Sequence, residues 1–313
     1  MARYRESLPQ LAGEVFLTDS GLETTLIFHD GYDLPCFAAI TLLGTEAGRR
    51  RLGRYFLDHL QVAAQANVGF ILESVTWRAS PDWAAQLGYS AAALAEANRA
   101  AISMLVELRS QVNGSTRPVV ISGLVGPRGD GYDGTALMSA AQARDYHAVQ
   151  IHTFADTEAD MVNAMTITYP DEAIGIIITA RDAGLPAAVS FTVETDGALP
   201  DGTSLGEVIH RVDDATAYYA INCAHPTHFT DVLDPAADWT RRLRGPRASA
   251  SRKSHTELDQ ADELDAGDPV ELAEQYARLR ATHPSLTVLG GCCGTDLRHI
   301  QALAHRLQHP GPT

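Results

Sequence analysis

The segment "SLTVLGGCCG", residues 285–294, is followed directly by "TDLRHIQALAHRL", residues 295–307. The first is a short apolar run that ends at glycines and two cysteines, and the second has the apolar spacing of an amphipathic helix. A strand that enters a helix through a glycine-rich turn is the repeating element of parallel α/β proteins. The fold therefore depends on whether the same unit recurs along the chain.

The strand–helix order does recur. We predict strands at 14–21, 69–75, 117–127, 159–166, 186–194, 217–226 and 285–294. We predict helices at 49–68, 90–112, 144–157, 170–184, 204–214, 268–283 and 295–307. An eighth strand is expected between residues 227 and 267, with "RASASRKS", 247–254, as the candidate.

Eight such units with no break in composition predict an α/β fold, a (β/α)8 TIM barrel with a single domain spanning residues 1–313. A doubly wound open sheet is the alternative. Its usual phosphate-binding sequence, G-x-G-x-x-G after the first strand, is absent. A chain of 313 residues that is 45% apolar can bury the core of one barrel.

The formal charge of −15 disfavours nucleic acids and anionic membranes as partners, because both need a basic surface. No stretch approaches the roughly 18 apolar residues of a membrane span. The first twenty residues lack the apolar core of a signal peptide. We therefore expect a cytoplasmic protein with reduced thiols, and composition leaves its oligomeric state open.

Active-site residues of a barrel lie at the carboxyl ends of its strands. This rule brings three of the four cysteines to one rim: Cys223 after strand six, and Cys292 and Cys293 after strand eight. It brings further polar and small residues to the same rim, namely Asp19, Ser20, Gly21, Glu73, Thr76, Trp77, Gly126, Pro127, Thr192, Glu194 and Asn222.

The paired cysteines are poorly placed to bond to each other. Adjacent trans residues have Cα atoms about 3.8 Å apart, whereas unstrained disulfides span roughly 4.4–6.8 Å. Three thiolates around one point would repel each other unless a soft cation lay between them. Zinc with three protein ligands and one open position is the catalytic pattern. Inert buried cysteines and a zinc-storing or redox-sensing site are the alternatives.

The motifs "AINCAHP" (220–226) and "GGCCGT" (290–295) resemble the two cysteine motifs of the homocysteine S-methyltransferase family. The segments "LTDSGLETTL", "ESVTWRAS", "ISGLVGPRG" and "VSFTVETDG" resemble the family's other conserved blocks, in the same order. The resemblance implies a (β/α)8 barrel in which Cys223, Cys292 and Cys293 bind Zn²⁺ and activate homocysteine for methylation. It also implies a substrate site that includes Asp19, Ser20, Gly21, Trp77, Glu194 and Asn222.

Two positions depart from the family pattern. The resemblance gives Asp19 and an acid on strand four as partners of the substrate amino group, but "AMTITYP" places Met165 or Thr166 at the position of that acid. Trp77 stands where the family has tyrosine. The nearby histidines His225, His228 and His299 are expected to support the site without binding metal, since three cysteines and a substrate already fill a tetrahedral site.

We therefore expect an enzyme, a zinc-dependent S-methyltransferase that makes methionine from homocysteine. Its partners would be a small thiol and a small onium donor: S-methylmethionine, S-adenosylmethionine or a betaine-like molecule. One barrel of this length leaves no room for a cobalamin or folate module. The alternatives are a zinc-dependent barrel enzyme for a different small thiol, and a metal-dependent hydrolase. The hydrolase is disfavoured because three thiolates weaken zinc as a Lewis acid.

Overall fold

The computed structural model describes residues 1–112, 117–131, 137–212, 215–261 and 263–309. Eight parallel strands form a closed barrel in sequence order, and β1 pairs with β8 through Phe16 and Val288. The strands are β1 (Phe16–Leu17), β2 (Gly69–Glu73), β3 (Val119–Val125), β4 (Met161–Ile167), β5 (Ala187–Phe191), β6 (Tyr218–Asn222), β7 (Leu243–Ala248) and β8 (Val288–Gly291). The predicted TIM barrel is confirmed.

Helices surround this barrel. They are α1 (Leu22–Thr24), α2 (Glu46–Ala66), α3 (Pro81–Gln86), α4 (Ala91–Gln111), α5 (Ala140–Ala155), α6 (Pro170–Asp182), α7 (Leu205–Arg211), α8 (Pro226–Phe229), α9 (His255–Asp259), α10 (Pro269–Thr282) and α11 (Leu297–Gln308). Each of the seven predicted helices overlaps one of them, although positions 213–214 of the predicted 204–214 helix lie outside the described residues. Within the described residues, none of the helices is long and apolar enough to cross a bilayer.

The seven strands that we placed directly all overlap observed strands. The eighth strand lies between residues 227 and 267, as expected, but the candidate 247–254 overlaps it only at Arg247 and Ala248 and was placed too far along the chain. Strand β7 spans Leu243–Ala248, whereas the candidate began at residue 247. The sequence "LRGPRA" is hard to recognise as a strand. It lacks an alternation of apolar and polar residues, and it contains glycine and proline, which are uncommon in strands. Gly245 is needed there: a Cβ atom would lie 2.1 Å from the carbonyl oxygen of Val288 on the neighbouring strand.

The base of the barrel, at the amino ends of the strands, is filled and closed. Side chains from seven strands form a buried apolar layer with Leu8: Phe16, Ile71, Val120, Met161, Ala188, Tyr218 and Val288. The amino-terminal segment covers this end, and Gln10 donates a hydrogen bond to the Met161 sulfur at 3.2 Å. The barrel is therefore a packed core with only its carboxyl rim open to chemistry.

Asp160, directly before β4, connects the amino-terminal segment to the base of the barrel. One carboxylate oxygen accepts hydrogen bonds from the backbone N–H groups of Arg3 (2.6 Å) and Tyr4 (3.0 Å). The other accepts from the Ile121 N–H and from Arg109, both at 2.9 Å. Asp160 is fully buried, so this ion pair with Arg109 is desolvated. Burial lowers the pKa of Arg109.

Candidate active site

Three cysteines meet at the carboxyl rim of the barrel, as the strand-end rule predicts. Cys223 directly follows β6, and Cys292 and Cys293 directly follow β8. Their sulfur atoms all lie within 4.8 Å of one another. The Cys223 and Cys293 sulfurs are 3.9 Å apart. Two segments that are distant in sequence thus form one sulfur cluster.

The end of β7, between the two cysteine-bearing strands, positions the cluster through its backbone. The Cys223 N–H donates to the Arg247 carbonyl at 3.1 Å, and the Cys292 N–H donates to the Ala248 carbonyl at 2.9 Å. Further on, the Ala250 N–H donates to the Cys293 carbonyl at 2.9 Å. Cys223 has a φ of 54°, a left-handed conformation that is uncommon for a residue other than glycine. Such strain is often found at functional sites.

In the structure Cys223 and Cys292 form a disulfide, with Cα atoms 5.3 Å apart. Reduced thiols remain the expected form of this pair when the site holds zinc. Sequence reasoning excluded a bond between neighbours Cys292 and Cys293, but the barrel brings Cys223 and Cys292 to a Cα separation typical of disulfides. Cysteine binds metal as the thiolate, so zinc binding requires this pair in its reduced state.

With Cys223 and Cys292 reduced, the three sulfurs suit a zinc ion. Zn–S bonds of about 2.3 Å in a tetrahedron place sulfurs about 3.8 Å apart, and the Cys223–Cys293 separation of 3.9 Å matches that edge. Within the described residues these three cysteines are the group that could hold a metal. Three sulfur ligands leave the fourth position of a tetrahedral zinc for a substrate thiol.

The three neighbouring histidines bind the surrounding loops. His225 accepts the Thr227 N–H at its Nδ1 (3.2 Å), and burial lowers its pKa to about 4. His228 and His299 use Nε2 to contact backbone carbonyls, each at 2.9 Å. These contacts agree with the expectation that the histidines support the site from outside the sulfur cluster.

Asn222, the last residue of β6, is fully buried and links the cluster to β4. Its side-chain oxygen accepts the Thr166 N–H, and its amide donates to the Thr166 hydroxyl, both at 2.9 Å. Thr166 has a φ of 66°, at a register shift in β4, and this pair of bonds stabilises that conformation. The Asn222 amide also lies 3.9 Å from the Cys292 sulfur, where its N–H group favours a thiolate.

Asp19 and Ser20 follow β1, and their side chains have different partners. The Ser20 hydroxyl lies 2.9 Å from His59 Nε2 and 3.2 Å from the Tyr55 hydroxyl, both on α2. His59 Nδ1 lies 2.8 Å from the Tyr55 carbonyl, so Nδ1 carries the proton and Nε2 accepts from Ser20. Ser20 therefore anchors the β1 loop to α2. Asp19 accepts a 3.3 Å hydrogen bond from Tyr55.

Gly21 lies directly against the cysteine loop. Its N–H donates to the Thr295 carbonyl at 3.2 Å, and a Cβ atom on Gly21 would lie 2.5 Å from the Cys292 carbonyl oxygen. No ordinary side chain fits in this space. The glycine that sequence analysis assigned to substrate binding thus sets the distance between the β1 loop and the turn from Cys292 to Thr295.

We expect Gly21→Ala to displace the Cys292 loop and to weaken zinc binding by about 10- to 100-fold, the usual loss when support behind a metal ligand is removed. A competition titration of reduced protein against a chromophoric zinc chelator measures this. Gly53→Ala is the matched control, because its new methyl group would meet only Leu108, at 3.9 Å. Equal zinc affinity in the two variants would contradict the assigned role of Gly21.

Trp77 and Glu194 lie on other parts of the rim. The Trp77 indole N–H donates to the Met165 carbonyl at 3.2 Å, and its ring stacks on the Arg78 guanidinium. Glu194 lies 3.6 Å from His255 Nδ1, and the Nε2 of the same ring lies 2.8 Å from the Cys223 carbonyl. Glu194 is therefore connected to the sulfur cluster through His255, a residue that sequence analysis did not select.

Arg247 is the other residue that sequence analysis missed. It is buried at the end of β7, where it pairs with Asp19 (2.6 Å) and with Glu73. Its Nη1 lies 3.8 Å from the sulfur of Met165, the residue at the position of the expected strand-four acid. The rim thus contains an arginine bonded to two carboxylates, next to the zinc cluster.

Comparison with known proteins gives the same fold and identifies the family. Crystal structures of the homocysteine methyltransferase MmuM from Escherichia coli share the fold: the oxidized form has a TM-score of 0.76 at 20% identity, covering 93% of this chain and 96% of that chain. The metallated form has a TM-score of 0.75 at 20% identity, covering 94% and 96%. A search of curated proteins finds no match. The family model "Homocysteine S-methyltransferase" matches residues 16–307. As its motifs predict, the chain is a barrel enzyme that belongs to the homocysteine S-methyltransferase family.

Proposed function

We propose that this enzyme transfers a methyl group from a small onium donor to the thiol of homocysteine, giving methionine, with Zn²⁺ held by Cys223, Cys292 and Cys293. The observation that carries the proposal is the convergence of three cysteine sulfurs within 4.8 Å on the catalytic rim of the barrel. Family membership supports homocysteine as the acceptor. The open fourth position of a three-cysteine site suits a thiol.

Bound there, zinc would lower the pKa of the acceptor thiol, which is otherwise about 8.5, and so favour the nucleophilic thiolate at neutral pH. The acceptor sulfur then bonds to the methyl carbon as the bond from that carbon to the donor heteroatom breaks. The thiol proton passes to solvent, and the donor leaves as a neutral thioether or amine. A neutral leaving group needs no general acid, so positioning by the rim residues suffices.

The charge of the rim supports a cationic donor. Asp19 and Glu73 balance the charges of Arg78 and Arg247, and Glu23, whose pKa is raised to about 7 by burial, adds a partial negative charge. The three thiolates exceed the two charges of a zinc ion, so the metal site adds negative charge. We therefore propose S-methylmethionine, S-adenosylmethionine or a betaine-like molecule as the donor, each of which carries a positive charge on the methylated atom.

The side-chain contacts of the predicted substrate residues suggest that these residues have different roles. We propose that Trp77, Asp19 and Asn222 line the acceptor site, and that Ser20 and Gly21 shape the loop beside it. Glu194 would act through His255 on the cysteine loop. We also propose a reducing compartment such as the cytoplasm, since zinc binding needs all three cysteines as thiolates.

The test is a methylation assay with reduced, zinc-loaded protein, homocysteine and each of the three donor types. Methionine formed from one donor, and abolished by a chelator, is the expected result. Zinc-loaded protein that methylates no thiol with any of the donors would refute the proposal. Elemental analysis of the same sample shows whether zinc was present.

Homocysteine binding to the zinc-loaded enzyme should release nearly one proton at pH 7, because a thiol with a pKa of about 8.5 is mostly protonated in solution and would be held as a thiolate. Calorimetry in buffers of different ionisation enthalpy counts the proton. The control is O-methylhomoserine, in which an O-methyl ether replaces the thiol of homocysteine. Its binding should release no proton. Release of no proton by homocysteine would mean that its thiol is not activated in this site.

A further inference from the structure

Arg247 is almost fully buried, at 6% exposure, yet its guanidinium lies among the rim residues. Nη2 contacts Asp19 Oδ1 at 2.6 Å, and Nη1 pairs with Glu73 Oε2. Nε donates to the Gly291 carbonyl at 3.3 Å, directly before Cys292. One cation of the protein thus lies between two acids, within one residue of the zinc cluster.

Each acid has a second contact besides its ion pair with Arg247. The second oxygen of Asp19 lies 3.3 Å from the Tyr55 hydroxyl, which shares its one proton between this oxygen and the Ser20 carbonyl at 2.9 Å. The second oxygen of Glu73 accepts from the Asn163 amide at 2.6 Å. Removing one partner of a buried ion pair is strongly destabilising, because it leaves a charge without compensation. A substrate ammonium group would have to displace Arg247 to reach either carboxylate.

Two other residues near Arg247, Met165 and Glu23, are weak partners for an ammonium group. Met165 presents a thioether, a weak acceptor, and that sulfur lies 3.8 Å from Arg247 Nη1. Glu23 is a third acid, but burial is the main cause that raises its pKa to about 7, so near neutral pH it is only partly ionised. The positive charge that an α-ammonium would bring to this pocket is already supplied by Arg247.

We propose that Arg247 determines acceptor specificity: its guanidinium occupies the cation position between Asp19 and Glu73, so the site accepts small alkyl thiols whether or not they carry an α-ammonium group. The inference rests on the proposed methylation of a thiol. It assigns to Arg247 a role in selecting the substrate, and to Asp19 the role of orienting Arg247.

The test compares L-homocysteine with 4-mercaptobutanoate, which has the same chain and carboxylate without the amino group. For the wild-type enzyme we expect kcat/KM values within about threefold of each other. In Arg247→Met the carboxylates of Asp19 and Glu73 become available to the ammonium group of homocysteine. The kcat/KM of homocysteine should then rise about tenfold or more relative to that of the analogue, mainly through a lower KM. This is the usual effect of one charged hydrogen bond. Arg244→Met, on the same strand but half-buried, is the control and should leave the ratio unchanged.

Calorimetric affinities of both thiols for zinc-loaded protein give the same ratio without turnover, so failure of the methylation reaction and failure of this inference are distinguishable. If Arg247→Met does not fold, Arg247→Met Glu73→Gln removes one acid with the arginine, and the ratio should still shift toward homocysteine. A wild-type preference of about 30-fold or more for homocysteine, or a ratio that no Arg247 variant changes, would overturn the inference.

Discussion

A Cys292→Ala Cys293→Ala variant should contain no zinc and should lose methyl transfer by about a thousandfold or more, the scale of a lost major catalytic element. Two of the three sulfurs disappear, and Cys223 alone cannot hold the ion with useful affinity. Elemental analysis gives the zinc content under reducing conditions, and the methylation assay gives the rate. Both measurements should fall together.

Under reducing conditions, where the wild type has no disulfide either, the same variant should stay folded, because the barrel core lies below the rim and does not include the two cysteines. Cys36→Ala is the matched control: Cys36 is half-buried, with its sulfur 3.8 Å from Gln86, and lies outside the cluster. It should retain one zinc per chain. The assignment of the metal site would be contradicted if the double variant kept the zinc content of the wild type and also its circular dichroism spectrum.

The zinc cluster could be predicted from sequence because active-site residues of a barrel lie at the carboxyl ends of its strands, and those ends can be located from apolar runs. The apolar runs before Cys223 and Cys292 are clear, and each cysteine follows its run within one or two residues. A barrel brings all strand ends to one rim, whatever the distance along the chain. The disulfide between the same residues could not be predicted, because it depends on a Cα separation that only the closed barrel fixes.

Arg247 could not be predicted because of one misplaced strand. With a strand over 247–254, Arg247 would begin the strand and lie at the base of the barrel. Strand β7 ends at Ala248, so Arg247 lies at the rim. The segment Leu243–Ala248 contains two arginines, a glycine and a proline, and its Arg247 is buried against Asp19 and Glu73. A strand that carries a functional charge into the barrel lacks the apolar pattern by which strands are recognised.

The side-chain partners of Asp19 and Ser20 could not be predicted from the motif either. The family resemblance gives a residue type at a position but not the partners of its side chain. Ser20 is bound to Tyr55 and His59 of α2, and Asp19 to Arg247 of β7. These partners come from elements far away in sequence, and one of them, Arg247, belongs to the strand that was misplaced.

Asp160→Asn should lower the free energy of unfolding by about 3–5 kcal/mol, the usual loss when one partner of a buried ion pair is removed. The change keeps the shape of the side chain but removes the charge opposite Arg109, which is 4% exposed. The asparagine also places an NH₂ group where one carboxylate oxygen of Asp160 accepts hydrogen bonds from backbone N–H groups, so donors face each other there. Urea unfolding followed by circular dichroism measures the loss.

Asp58→Asn is the matched control for this second prediction. Asp58 pairs with Arg54 at 2.9 Å on the surface of α2, where the arginine is 74% exposed, and such pairs are worth about 0–1 kcal/mol. Equal stability losses in the two variants would show that the Asp160–Arg109 pair does not hold the base of the barrel together.

Asp160 lies at the amino ends of the strands and the zinc cluster at their carboxyl ends, so the folded Asp160→Asn protein should keep the zinc content and the turnover of the wild type. The cysteine double variant should show the opposite pattern, with its stability kept and its activity lost. The two effects separate because the packed apolar layer at the base, which includes Phe16 and Val288, lies between Asp160 and the rim. A loss of zinc in folded Asp160→Asn protein would mean that this layer transmits changes from the base to the rim.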